Sequence, residues 1–215
     1  MPKKPDAARR SERSRRAILA ATEELCRENG YGRLTIEAIA TRAGVGKMTI
    51  YRWWPSRGAI VLDLLDQTAT VAADPPDSGD LAADLHVLLA EVISILTPPF
   101  TSPATGLIAE ALHDPDLAND LRERLIRPRI ATFKQRIRRA QDAGELPVDA
   151  DLDVALDLLY GPLYHRMALH LGMPDPDYLD TLIAHVLRAL ASTNAGPPPA
   201  RGRRGGPAQA TPGLR

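Results

Sequence analysis

Residues 35–57 read TIEAIATRAGVGKMTIYRWWPSR, and their punctuation is that of two short helices and the start of a third. Thr35 supplies an N-cap oxygen ahead of Ile36, Ile39 and Ala40, which share one face at three- and four-residue spacing. Gly44 ends that helix, at a position where glycine best tolerates the left-handed backbone. A second helix is predicted from residue 46 to about 54. Pro55-Ser56 stops it, and Ser56 caps a longer helix carrying Ile60, Val61, Leu64 and Leu65. Two short helices joined by Ala43-Gly44-Val45-Gly46 form a helix-turn-helix pattern, although spacing alone fits an ordinary corner between helices as well.

The chemistry of the second helix separates the two readings. With Ile50 taken as the buried direction and about 100° per residue, Met48 and Arg52 point away, Lys47 and Tyr51 lie on one flank, and Thr49 and Trp53 on the other. This face is cationic, aromatic and hydrogen-bonding. A helix entering a DNA major groove needs those groups: Lys and Arg for guanine edges or phosphate, Thr or Met for a thymine methyl, a Tyr hydroxyl for phosphate. Arg57 stands at the first position of the following helix, where the dipole disfavours a cation by up to about 1 kcal/mol. An anion docked there removes the conflict, so a phosphate site is expected.

Charge supports a nucleic-acid partner once it is counted by segment. The 215 residues hold 27 Lys+Arg and 27 Asp+Glu. Residues 1–58 carry a net +7, residues 59–196 a net −11, and the tail from Pro197 adds four arginines. A basic module joined to an acidic body is the footprint of polyanion binding. The single Cys26 forbids an intrachain disulfide, and no stretch has the apolar length of a membrane span or an export signal. A cytoplasmic location and no membrane partner are expected.

Outward from residues 35–57, nearly every apolar run has helical period and none alternates as a strand, so an all-α fold is predicted. A first helix is expected over 11–28, stopped at Asn29-Gly30, and further helices over 81–96, 104–113, 117–143, 151–171 and 177–191. Residues 74–80 form an internal boundary rich in turn formers. Pro128 and Pro162 should kink the helices that contain them. The resulting division is a basic flexible arm (1–12), a three-helix helix-turn-helix domain (13–58), a larger helical bundle (59–195) and a disordered Pro/Gly/Arg tail (196–215).

The run from Ile18 to Leu65 resembles the DNA-binding domain of the TetR family of bacterial transcriptional repressors. The features that carry the resemblance are Gly30-Tyr31, Leu34-Thr35-Ile36, Ala43-Gly44-Val45, Lys47, Thr49-Ile50-Tyr51 and Trp54-Pro55-Ser56-Arg57. It implies a homodimer that sets its third helices in the major grooves of a palindromic double-stranded operator, with a C-terminal domain for dimerisation and a small-molecule effector. It places DNA contacts at Thr35, Lys47, Met48, Thr49, Tyr51, Trp53 and Arg57, with Arg52 added from the exposed face. The family usually has Lys where Arg57 stands and Phe where Trp54 stands. Ala143-Gly144-Glu145-Leu146 and the helix through Tyr160 to Arg166 resemble one C-terminal subgroup more loosely.

Other patterns carry less. Gly44 to Thr49 imitates a phosphate-binding loop, yet Thr41 and Met48 stand where that loop needs Gly and Ser or Thr. Asp149, Asp151 and Asp153 imitate a calcium loop, but Val154 and Tyr160 occupy its Gly and Glu positions, so a helix start is expected. The histidines at 86, 113, 165, 170 and 185 lack metal-ligand spacing, and no nucleophile motif occurs. No metal, cofactor or enzymatic activity is expected. His86, His113, Tyr160, Tyr164 and His165 are the candidate polar groups of an apolar effector pocket. Leu156, Leu163, Met167, Leu182, Val186 and Leu190 are candidates for the dimer interface. A constitutive dimeric DNA-binding protein without an effector is the competing reading.

Overall fold

The computed structural model of the protein describes residues 7–68 and 74–191. Within them ten α-helices follow one another: α1 Ala7–Asn29, α2 Ile36–Ala43, α3 Lys47–Tyr51, α4 Arg57–Thr68, α5 Leu81–Leu96, α6 Pro103–Ala111, α7 Pro115–Leu121, α8 Arg127–Asp142, α9 Leu152–Ala168 and α10 Pro176–Ala191. No strand occurs among the described residues. The helix ends are set by the residues that sequence punctuation singles out. Thr35 accepts from Ala38 N, Gly44 adopts φ 65°, and Ser56 accepts from Ala59 N. Asp114 caps α7 with Pro115 behind it, and Asp151 caps α9, which accounts for the acidic cluster there.

Two expectations change. The first helix begins at Ala7, so residues 7–12 of the stretch expected as a flexible arm (1–12) are helical; residues 1–6 and the tail 196–215 lie outside the described residues. The long helix predicted over 117–143 is divided by a π turn at Arg122–Ile126, just before Pro128. Proline has no N–H for the carbonyl four residues back and crowds it, and one widened turn relieves the crowding. The helical assignment of α9 runs unbroken through Pro162.

Packing of the N-terminal head crosses the predicted boundary at residues 58/59. One apolar cluster joins α1, α2, Ile50 and Trp54 with Ile60, Val61, Leu62 and Leu64 of α4. That cluster continues into Leu107, Ala111, Leu117 and Leu125 of α6, α7 and the π turn. The second cluster is built from α5, α8, α9 and α10. Arg136 and Asp84 form a fully buried ion pair at 2.6 Å inside it, tying α8 to α5.

Candidate nucleic-acid interface

α3 is five residues long and is held by one anchor, the fully buried Ile50. Gly46 caps it, and Trp54 closes the far end by packing into the head and donating from Nε1 to Asp63 at 3.3 Å. The face opposite Ile50 is the one anticipated: Met48 is 80% exposed, Tyr51 48% and Trp53 42%. Lys47 and Arg52 are exposed beside them, and Thr49 is half-buried. Arg52 lies 5.8 Å over the Trp53 ring, which holds the indole and the guanidinium as one projecting unit. Lys47 pairs with Glu37 of α2, and this contact holds the Glu37 carboxyl below its ordinary range. Both partners are exposed, so the pair contributes little to stability. Thr35 is exposed at the start of α2 on the same side of the turn, its hydroxyl occupied as the cap.

Arg57 does not join this surface. Its guanidinium turns inward: Nε and Nη2 meet Glu110 Oε2 of α6 at 2.9 and 2.8 Å, and Nη1 donates to Leu34 O at 2.9 Å. It also covers the ring of Tyr31 at 4.9 Å. The phosphate role expected of Arg57 therefore lacks a free group in this conformation. The cation at an unfavourable helix start is explained by a carboxylate from the body rather than by an external anion.

Arg57 belongs to a joint between head and body. Tyr31, buried between α1 and α2, presses against α6 where residue 106 is glycine; a Cβ there would lie 2.2 Å from Tyr31 Cγ. Gly58 is also close-packed, with Leu117 Cδ2 2.7 Å from its would-be Cβ. On the other side of α4, Asp63 bridges Arg15 of α1 at 2.6 Å and Arg124 of the π turn at 2.8 Å. Burial pushes the Asp63 carboxyl up, and the hydrogen bonds and charges of the two guanidiniums outweigh it, leaving the group below its ordinary value. Neither Glu110 nor Asp63 stood out in the sequence, because each is an ordinary helix acid until the fold brings it to an arginine some 50 residues away.

Above the joint lies a cavity of about 210 Å³, enclosed mainly by apolar side chains of α5 and the π turn. Leu65 of α4 and Leu107 of α6 also line it. Of the expected pocket residues, Tyr164 lines this cavity, and Tyr160 lines two adjoining ones of about 190 and 100 Å³. His86 instead pairs with Asp180 at 2.7 Å, and His113 and His165 are exposed away from all three. Sequence reading missed Arg129, which borders every one of them.

Burial removes four of the six expected dimer residues from the surface, while Leu156 and Leu182 stay half-buried. Leu163, Met167, Val186 and Leu190 are buried in the chain's own core, and Leu156 and Leu182 pack against it. Helical period locates an apolar face but not which surface covers it, and the broadest face turned inward. The exposed stripe of α9 is Val154, Leu158, Gly161, His165 and Ala168; that of α10 includes Tyr178, Thr181 and His185.

A projecting cationic and aromatic helix on a compact head, hinged to a helical body with its own cavity, defines a helix-turn-helix DNA-binding regulator. Residues 18–64 match the family described as bacterial regulatory proteins, tetR family, and residues 75–186 match the tetracyclin repressor-like C-terminal domain. The chain belongs to the TetR family of transcriptional regulators. It is 31% identical over 186 residues to the HTH-type transcriptional regulator YdeS of Bacillus subtilis strain 168, covering 86% of this chain and 94% of that one. It is 29% identical over 189 residues to the DNA-binding transcriptional repressor TetR of Mycobacteroides abscessus, covering 86% and 98%. The crystal structure of the TetR family transcription regulator SCO0332 superposes with a TM-score of 0.65 at 34% identity, covering 81% of this chain and 97% of that one. No helix among the described residues is long and apolar enough to cross a membrane.

Proposed function

We propose that the protein is a cytoplasmic repressor that binds a palindromic operator as a homodimer and releases it when a small molecule fills the body. One observation carries the ligand-responsive part: the 210 Å³ cavity is walled by Leu65 of α4 and Leu107 of α6, the two helices that fix the head. An occupant that displaces either wall acts on the Arg57–Glu110 and Tyr31–Gly106 contacts, and through them on the angle at which α3 is presented. A constitutive DNA-binding protein has no need of a cavity at that joint.

Direct base contacts are assigned to Lys47, Met48 and Thr49. Tyr51, Arg52 and Trp53 contact the flanking backbone, and the N-terminus of α2 at Thr35 contacts a phosphate. The dimer forms through the exposed stripes of α9 and α10, where Val154, Leu158 and Tyr178 supply apolar area. Two-fold pairing there sets two α3 helices against half-sites one turn apart, about 34 Å. The acidic body repels DNA, so contact is confined to the heads.

The test joins two measurements on one compound set. A ligand of the cavity raises the melting temperature and, over the same concentrations, lowers operator affinity. Stabilisation with no change in DNA affinity contradicts regulated release.

A further inference from the structure

The candidate effector site contains an arginine that forms no ion pair within the chain among the described residues, although Glu91 or Asp157 lines each of the cavities it borders. Of the arginines between 122 and 139, Arg122, Arg124, Arg127, Arg136 and Arg139 each pair with a carboxylate within 4.0 Å, and Arg138 is exposed. Arg129 is half-buried where the three cavities meet. Its one hydrogen bond runs from Nη1 to Leu125 O at 3.0 Å, and it pairs with no acid among the described residues. The other N–H donors of this guanidinium have no acceptor within the chain among the described residues, and an anion in the cavity can accept two of them.

The neighbouring groups are also donors. The hydroxyls of Tyr160 and Tyr164 hydrogen-bond to nothing in the chain among the described residues. A phenol keeps its proton at neutral pH, and burial raises both groups further, so each can donate. Glu91 lines the first and second cavities beyond ion-pair distance of Arg129. The third cavity, which holds Arg129 and both tyrosines, excludes Glu91, and its single acid, Asp157, is exposed. The anion-favouring end is thus the third cavity. The first, lined by Ile95, Leu107 and Leu121, suits a hydrocarbon body.

We infer that the ligand of this site is a small apolar carboxylic acid, its carboxylate held by Arg129 with Tyr160 and Tyr164 donating and its apolar body directed towards α4 and α6. This rests on the effector reading above and sharpens its apolar ligand to an acid.

Matched probes test it by calorimetry on the full chain: decanoate against decanamide, and 2-naphthoate against 2-naphthamide. Each amide keeps the shape and removes the charge. The acids are expected to bind about tenfold to a hundredfold more tightly than the amides. Arg129→Gln should abolish that preference by weakening the acids more than the amides, and Arg129→Lys should restore part of it. Tyr164→Phe, which keeps the guanidinium, should weaken the acids more than the amides. Equal binding of acid and amide, a preference that survives Arg129→Gln, or no binding by any probe overturns the acid site. Acid binding that leaves operator affinity untouched upholds the acid site and overturns regulated release instead.

Discussion

Replacing Arg57 with alanine distinguishes a latch from a phosphate contact. The substitution removes two contacts to Glu110, a hydrogen bond to Leu34 O and the cover over Tyr31. Charge-assisted bonds contribute about 1.5–3 kcal/mol when desolvated. The Arg57 and Glu110 side chains are 33% and 24% exposed, so screening brings their share towards the lower end. The bond to Leu34 and the ring contact add about 1 kcal/mol together. The expected loss is about 2–3 kcal/mol, or roughly 5–10 °C in melting temperature for a chain of this size. Glu110→Gln should lose less, and the two substitutions should couple by about 1 kcal/mol in a double-mutant cycle because the partners touch. Thermal unfolding supplies the stabilities, and anisotropy with labelled duplex at several salt concentrations supplies the slope. The slope of log affinity against log salt should stay at its wild-type value. An unchanged melting temperature with a slope reduced by about one would return Arg57 to a phosphate.

Further outcomes follow from the same geometry. Gly106→Ala places a methyl 2.2–2.5 Å from Tyr31 ring and Cβ atoms, so it should destabilise by about 1–3 kcal/mol and weaken DNA binding although it lies far from α3; circular dichroism melts and a binding titration read both. Lys47→Ala and Thr49→Ala should relax base preference at separate positions of a selected site, and a uniform loss of affinity would count against base reading. The Asp63 carboxyl sits below its unfolded value of about 3.9, so its contribution is present above that pH and lost as pH falls through the lower folded value. Asp63→Asn should therefore flatten the decline of melting temperature below about pH 4, and a decline as steep as wild type refutes the bridge. Leu158→Asp on the exposed stripe of α9 should give a folded monomer by light scattering, whereas Leu163→Asp should fail to fold.

The local structure was legible because its signals are local. Thr35, Gly44, Ser56, Asp114 and Asp151 each act within a few residues, and each lies at the helix end its chemistry suggests. The exposed face of α3 follows from one buried residue, Ile50, and helical geometry. What escaped the sequence depends on distant partners. Arg57 was read correctly as a misplaced cation but assigned to an external anion, since nothing near it announces Glu110. Arg129 was hidden among arginines with which it shares composition but not pairing. The faces of α9 and α10 show the same limit, because periodicity reveals that Leu163 and Val186 are buried and is silent on whether self or partner buries them.

Selection of bound duplexes from a random pool with the full chain tests the central claim most directly. The account predicts an inverted repeat whose half-sites are centred about one helical turn apart, lost when Lys47 and Thr49 are both replaced by alanine. Enrichment of a single half-site, of direct repeats, or of no sequence above background would contradict it.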